Sequence, residues 1–278
     1  MQYILDACTI INLLHIDEDE FLLKKLSSLE FKICKTVYDE TRKNVFKKFE
    51  RVRPYPTEKS KVIEKKLNYF RERIYNDESY FELSDSILET MNYVKRNGEY
   101  FSILLSYYLN TFEKCHILFF TDDSPAKEYF NPYLSHNKMG YIADSVDLLV
   151  LLYRQNQEFT TTDLKKFLSS LYSEYALELS ELEKEITELQ IPTSQIRNKD
   201  ASINLNKMRH AIKELQLTDA SKIYNEVSND HKKYGFLYDL LIKYSSFFEK
   251  ELSTNFLDKI KENISFIDSK PFYKYYCN

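Results

Sequence analysis

Apolar positions along this chain follow two spacings, and the place where one gives out divides it. Short apolar runs bounded by polar residues read as strands at Gln2 to Leu5 (QYIL), Phe31 to Cys34 (FKIC) and His116 to Thr121 (HILFFT), with Lys138 to Tyr141 (KMGY) as a last short strand or turn. Helical spacing fills the intervals. It predicts helices over Thr9 to His15, Thr36 to Phe49, Glu58 to Tyr75, Ser84 to Arg96, Glu99 to Leu109, Asp123 to Tyr133 and Ser145 to Asn156. In the second of these Val37, Thr41, Val45 and Phe49 share one side, and Pro54 and Pro56 end it. Asn97-Gly98 supplies a turn, and Thr160 to Asp163 a capped helix start. From about Tyr175 no strand-like run remains. Long Glu, Lys, Leu, Ile and Tyr stretches at helical spacing continue, interrupted by Ile191-Pro192-Thr193-Ser194.

Strands alternating with helices imply right-handed crossovers and a parallel sheet covered on both faces. The expectation is an α/β domain over residues 1–174 followed by an all-helical domain over 175–278. Three glycines and six prolines in 278 residues fit a helix-rich chain with few tight hairpins. The 23 Tyr and 19 Phe, with no Trp, accompany abundant Lys, Asn and Ile, which is the mark of codon bias, so no single aromatic carries functional weight. No early stretch has the pattern of a signal peptide, no apolar window reaches the length of a membrane span, and the four cysteines fit no zinc or redox spacing. A cytoplasmic protein with reduced thiols and no membrane contact is expected.

The formal net charge of −4 predicts no global pull towards nucleic acid. Its distribution changes that picture, because Thr41 to Arg73 holds twelve Lys or Arg against four Glu, and the balance reverses between Glu174 and Glu188. Such runs commonly form solvated helix faces, and a basic strip beside an acidic pocket also suits a polyanionic substrate.

In open parallel sheets the ligand crevice lies beyond the carboxyl ends of the strands. Asp6 ends the first strand, Asp122 and Asp123 follow the third, Glu40 lies on the helix after the second, and Glu99 opens a helix. Singly, each acid has an ordinary structural role: Asp6, Asp122 or Asp123 as a cap, Glu40 as a surface residue, Glu99 as a first-turn acid favoured by the helix dipole. Together they would repel one another, and a divalent cation removes the conflict. Oxygen-only ligands select Mg²⁺ or Mn²⁺ rather than zinc.

The ordered segments ILDACTIINLL, TVYDETRKN, NGEYFSILLSYYLN, LFFTDDSPAKEYF and IADSVDLLVLLYRQNQEFTTTDLKKFLSSLY resemble a PIN domain over roughly residues 1 to 172. The resemblance implies a three-layer α/β/α fold with a central parallel sheet, and a metal-dependent nuclease acting mostly on RNA. It implies catalytic and metal-binding roles for Asp6, Glu40, Glu99 and Asp122, with Asp123 as a further metal ligand. Asp122 is favoured as the fourth acid because Ala126-Lys127 falls at the spacing of the family's small-then-basic pair. Arg42 and Lys127 are candidates for substrate contact. Cys8 stands where many members carry Ser or Asn, and the segment from Phe46 to Arg96 is longer than the usual middle helices.

The reaction expected is hydrolysis of phosphodiester bonds in single-stranded RNA, DNA not being excluded, with Mg²⁺ or Mn²⁺ as cofactor and basic residues from Arg42 to Arg73 guiding the strand. By analogy with the family, the chain could be a toxin or defence effector with an antitoxin or other defence-system partner, or a homodimer. The competing expectation is a catalytically inactive PIN-like scaffold working through its helical C-terminal domain. A phosphatase with an Asp nucleophile ranks low, because Cys8 occupies the place of its second Asp.

Overall fold

The structure, a computed structural model, describes residues 1–17, 19–46, 57–83, 95–188, 199–213, 217–245, 247–248 and 256–269. The helix expected over Ser84 to Arg96 falls almost wholly outside the described residues. So do Phe49, Pro54, Pro56, the break at Ile191 to Ser194 and Cys277.

Within that frame the chain is mostly helical around a small parallel sheet. β1 (Gln2–Leu5), β2 (Phe31–Lys32), β3 (Ile117–Phe120) and β4 (Gly140–Ala143) lie in the order β2-β1-β3-β4. All three pairings are parallel, with Leu5 opposite Phe120 and Phe120 opposite Ala143. Ile4, Leu5, Phe119 and Phe120 are fully buried, which is why these strands read as continuous apolar runs. The last strand sits two residues later than KMGY suggests. Gly140 begins it, and a β-carbon there would overlap the backbone carbonyl of Ile117. β2 is shorter than FKIC. Ile33 instead bridges to Ile74, its N–H donating to the Arg73 carbonyl at 3.2 Å and its carbonyl accepting from Tyr75 N at 2.9 Å. Residues 73–75 thus cover the sheet edge at β2.

The helices of this part are α1 (Ala7–Ile16), α2 (Phe21–Leu26), α3 (Lys35–Asn44), α4 (Thr57–Arg71), α5 (Gly98–Phe112), α6 (Ser124–His136), α7 (Ser145–Gln155) and the start of α8 (Thr161–Glu188), with a 3₁₀ turn over Glu78–Leu83. The pattern missed α2, because the acidic run before it reads as a break. Asp17 is in fact buried, and its carboxylate accepts from the N–H groups of Leu22 and Leu23 at 3.0 and 3.1 Å. α5 packs on β1 and β3, α6 on β4, and α3 lies against α1, α4 and α5.

The chain clusters into two compact units, Met1–Ser170 with Ile264–Asn278, and Leu171–Asn263. The sequence boundary at 174/175 and this division at 170/171 both lie within α8. The second unit is helical: the end of α8, then α9 (Lys199–Lys213), α10 (Leu217–Ser228), α11 (His231–Tyr234), α12 (Phe236–Ile242) and the first part of α13 (Phe256–Ser269). Its core includes Leu205, Met208, Val227 and Leu237, with Tyr224 and Phe248 stacked at 4.6 Å. The Arg209 guanidinium donates to the Ile186 carbonyl at 3.1 and 2.9 Å, satisfying the C-terminal turn of α8. Among the described residues no helix is long and apolar enough to cross a membrane.

Few glycines leave some turns to residues poorly suited to them: Glu20, Lys114 and Lys138 adopt φ of 57°, 56° and 54°. Lys138→Gly is therefore expected to raise stability by up to about 1 kcal/mol, through relief of left-handed strain. Gly140→Ala, two residues on, should lower it by roughly 2 kcal/mol or more by forcing β4 off β3. Urea unfolding of both variants beside the wild type checks the opposite signs.

Candidate active site

β1 leads to β2 on one side and, after the intervening helices, β3 forms on the other. The space between the carboxyl ends of β1 and β3 is therefore a topological switch point, where a parallel sheet opens a crevice. The residues immediately beyond those strands are Asp6 and Thr121-Asp122-Asp123. They are locked in register by Asp6 N donating to Phe120 O at 2.9 Å and Thr121 N to Ala143 O at 2.9 Å.

Asp6 occupies the N-cap position of α1, yet its side chain makes no capping bond. It is 1% exposed, and one oxygen, Oδ2, accepts from Thr121 Oγ1 at 3.0 Å and Cys8 Sγ at 3.0 Å. The other, Oδ1, is buried with no hydrogen-bond partner. Burial pushes this carboxyl above the usual Asp range. The Cys8, Ala7 and Thr121 donors oppose that shift, and the charge of Asp123 adds to it.

Glu99 lies in the first turn of α5, whose N-cap Asn97 accepts from Tyr100 N at 3.3 Å. Its Oε2 is likewise buried and unpartnered. Burial first, then the charges of Asp6, Asp123 and Glu40, push Glu99 up to about 8, against a small opposing pull from its own backbone amide. Glu40, on α3, uses Oε1 to accept from Gly98 N at 3.0 Å. It is raised by burial and by Asp6, and held down by the Gly98 amide and by Lys43. That approach needs glycine at 98, since a β-carbon there would overlap Glu40 Oε2 and come within 3.1 Å of Val37 Cγ2. Asp123 caps α6, Oδ1 accepting from Ala126 N at 2.8 Å, while its own N–H donates to Thr121 Oγ1 at 3.1 Å.

Glu99 thus feels the charges of Asp6, Asp123 and Glu40, Asp6 that of Asp123, and Glu40 that of Asp6. Asp122, the fourth acid favoured by spacing, is differently engaged. Its carboxylate accepts from Asn12 Nδ2 at 2.6 Å, from Ser145 N at 2.8 Å and from the Ser145 hydroxyl. Its N–H donates to Cys8 Sγ at 3.0 Å, so the thiol ties Asp122, Asp6 and, at 3.3 Å, Thr121 together. Lys127 does not stand free. Its ammonium pairs with Asp144 at 3.2 Å, both side chains are largely buried, and Asp144 also forms the capping box of α7. Arg42 is exposed on α3, away from the Glu40–Gly98 contact.

Sequence reasoning passed over Thr121, Asn12 and Asp144. Asn12 left a signal, as a lone amide inside the apolar run IINLL, one helical turn after Cys8. Thr121 left none, being an ordinary β-branched strand-end residue.

The donor chemistry suits a hard divalent cation: carboxylate oxygens only, two of them buried without partners, and mutual repulsion that a cation would relieve. Among the described residues, no group of three or more His, Cys, Asp or Glu side chains is spaced to hold a metal ion as it stands. Compared with family models, curated proteins and solved structures, the chain matches none.

The raised acids set a pH dependence. Glu99 holds its proton in the folded chain up to about 8, but releases it near its ordinary value of 4.5 when unfolded. The folded state therefore binds more protons between these values, and stability falls as pH rises through that window. In EDTA, subtracting the Glu99→Gln unfolding midpoint from the wild-type midpoint cancels the titrating groups outside the cluster and leaves Glu99 with its coupling to the neighbouring acids. That difference should become steadily more negative from pH 5 to pH 8, with the variant the more stable protein at pH 8.

Proposed function

We propose that the chain is a metal-dependent endoribonuclease with a PIN-like three-layer α/β/α domain, hydrolysing phosphodiester bonds of single-stranded RNA. The observation that carries this reading is the pair of buried carboxylate oxygens, Asp6 Oδ1 and Glu99 Oε2, left without partners at the sheet's switch point. A purely structural carboxylate in such a place would be paired or hydrogen-bonded, because a buried, unsatisfied polar atom costs on the order of 1–3 kcal/mol.

In this reading Asp6, Glu99, Glu40 and Asp123 hold one or two Mg²⁺ or Mn²⁺ ions. Asp123 takes the fourth place rather than Asp122, whose oxygens already serve Asn12 and Ser145. The cation supplies Lewis acidity to a water molecule and to the scissile phosphate. The chain's own residues do the rest. Thr121 and Cys8 hold Asp6 by one oxygen and leave the other to the ligand. Glu99, which holds its proton up to about 8, would have to release it to act as a ligand, so binding at neutral pH would release protons. Gly98 and Ala126, through their amides, fix Glu40 and Asp123 by one oxygen each. A role as toxin or defence effector, with an antitoxin-like partner, fits this activity by analogy alone.

The second reading, an inactive PIN-like scaffold, is favoured by the absence of a pre-spaced metal triad among the described residues. Calorimetry separates the two. Mn²⁺ titrated at pH 7 in two buffers of different ionisation enthalpy should show saturable binding with proton release, lost in Glu99→Gln. No heat at millimolar Mn²⁺ would favour the scaffold. Cleavage of end-labelled RNA with Mn²⁺ should fall by at least about 100-fold in Asp6→Asn and Glu99→Gln, beyond the 10–100-fold typical of outer-shell changes. Equal cleavage by wild type and variants would end the nuclease reading.

A further inference from the structure

A groove of about 770 Å³ runs between α3 and α4 on the side of α3 away from Gly98. α3 presents Val37 and Glu40 to the acidic site, three residues apart. Its remaining positions Lys35, Tyr38, Asp39 and Arg42 line the groove, joined from α4 by Lys61, Glu64, Lys65 and Arg71. Two of the groove's lysines are already neutralised. Lys35 pairs with Asp39 at 2.5 Å, and Lys65 with Glu20 at 3.1 Å. Arg42, Lys61 and Arg71 are exposed, and among the described residues no carboxylate engages them. This local excess of positive charge sits on a chain whose formal net charge is −4. Two half-buried rings, Tyr38 and Phe46, line the same groove.

We propose that this groove carries the RNA strand, Arg42, Lys61 and Arg71 holding its phosphates while Tyr38 and Phe46 stack bases. The combination decides the ligand class. Unpaired cations alone would serve any polyanion, including an acidic protein segment. Cations interleaved with aromatic faces are what single-stranded nucleic acid requires, because each phosphate needs a charge and each unpaired base a flat apolar partner. Because α3 carries both faces, a strand in the groove is delivered alongside the helix that supplies Glu40. The proposal rests on the nuclease reading for its purpose but not for its measurement.

The test is fluorescence anisotropy of a labelled, mixed-sequence 20-nucleotide RNA with the full-length chain in EDTA, so that binding is read without cleavage. The triple variant Arg42→Gln, Lys61→Gln, Arg71→Gln should bind at least about tenfold more weakly at low salt. Its slope of log affinity against log salt should be shallower by about 2, as three lost phosphate contacts require on a single strand. Arg42→Glu, Lys61→Glu, Arg71→Glu should bind no RNA at all. Tyr38→Ala should weaken binding about fivefold at an unchanged salt slope. All these side chains lie at the surface of the groove, and far-UV circular dichroism verifies that the variants fold. Wild-type affinity and slope in both triple variants would overturn the proposal. So would displacement of the RNA by polyglutamate at equal charge concentration, which would assign the groove to an acidic protein segment. Failure of wild type to cleave RNA with Mn²⁺ would leave these binding results standing, and unchanged binding in the variants would leave the acidic site untouched.

Discussion

Repulsion between carboxylates held out of water is the constraint around which this structure is arranged. An ionised carboxylate loses several kcal/mol of hydration on burial, and a second one beside it adds Coulomb repulsion that a low-dielectric interior screens poorly. A fold stable by only about 5–15 kcal/mol cannot carry several such charges unpaired. The chain answers by protonation. Burial pushes Asp6 upward, and Glu99 as far as about 8, so that Glu99 holds its proton at neutral pH and lowers the charge of the cluster. In the proposed reading, a divalent ion would supply from outside the charge that the protein withholds. Lys127, on the helix that Asp123 caps, is turned to Asp144.

What keeps the cluster together is the sheet rather than any bond within the cluster. The parallel register of β1, β3 and β4 sets Leu5, Phe120 and Ala143 side by side, so the residues following them must emerge at one rim. Full burial of Leu5 and Phe120 makes slippage costly, since a one-residue shift would turn each strand's apolar set to the wrong face. Cys8 then adds a local tie. As a thiol it donates to Asp6 and also receives the Asp122 N–H, joining the ends of β1 and β3 through one atom. The buried thiol of Cys34 is pushed by burial to about 12, which leaves it an inert packing residue.

Much of this was legible in the sequence where a single physical rule dominates. β1 and β3 could be read because a strand buried on both faces must be continuously apolar, and Asp6 and Glu99 because a charge at the boundary of an apolar element is conspicuous. The choice between Asp122 and Asp123 could not be read. Successive side chains leaving a strand diverge, and which one faces the crevice depends on partners more than a hundred residues away, Asn12 and Cys8 among them. The partner of Lys127 could not be read for the same reason, Asp144 belonging to the next helix cap. α2 was hidden because Asp17 belongs to an acidic run that resembles a loop, although its carboxylate initiates a helix.

α3 carries two differently built faces. Its ten residues rise about 15 Å, and an α-helix turns about 100° per residue. Residues 37 and 40 therefore share one face and residues 38 and 42 another. The first face must be tightly packed, because Glu40 reaches the cluster only through the absence of a side chain at Gly98. The second is open, with Lys35, Asp39 and Arg42 exposed. A single helix carries both because one face is fixed by the core and the other is left to solvent, where Lys35 pairs with Asp39. The burial of Val37 and Thr41 beside the exposure of Lys35, Asp39 and Arg42 has that form. Changes on the open face should therefore alter how a polyanion is held without moving the carboxylates, while changes at Gly98 should move Glu40 without altering the groove's charge.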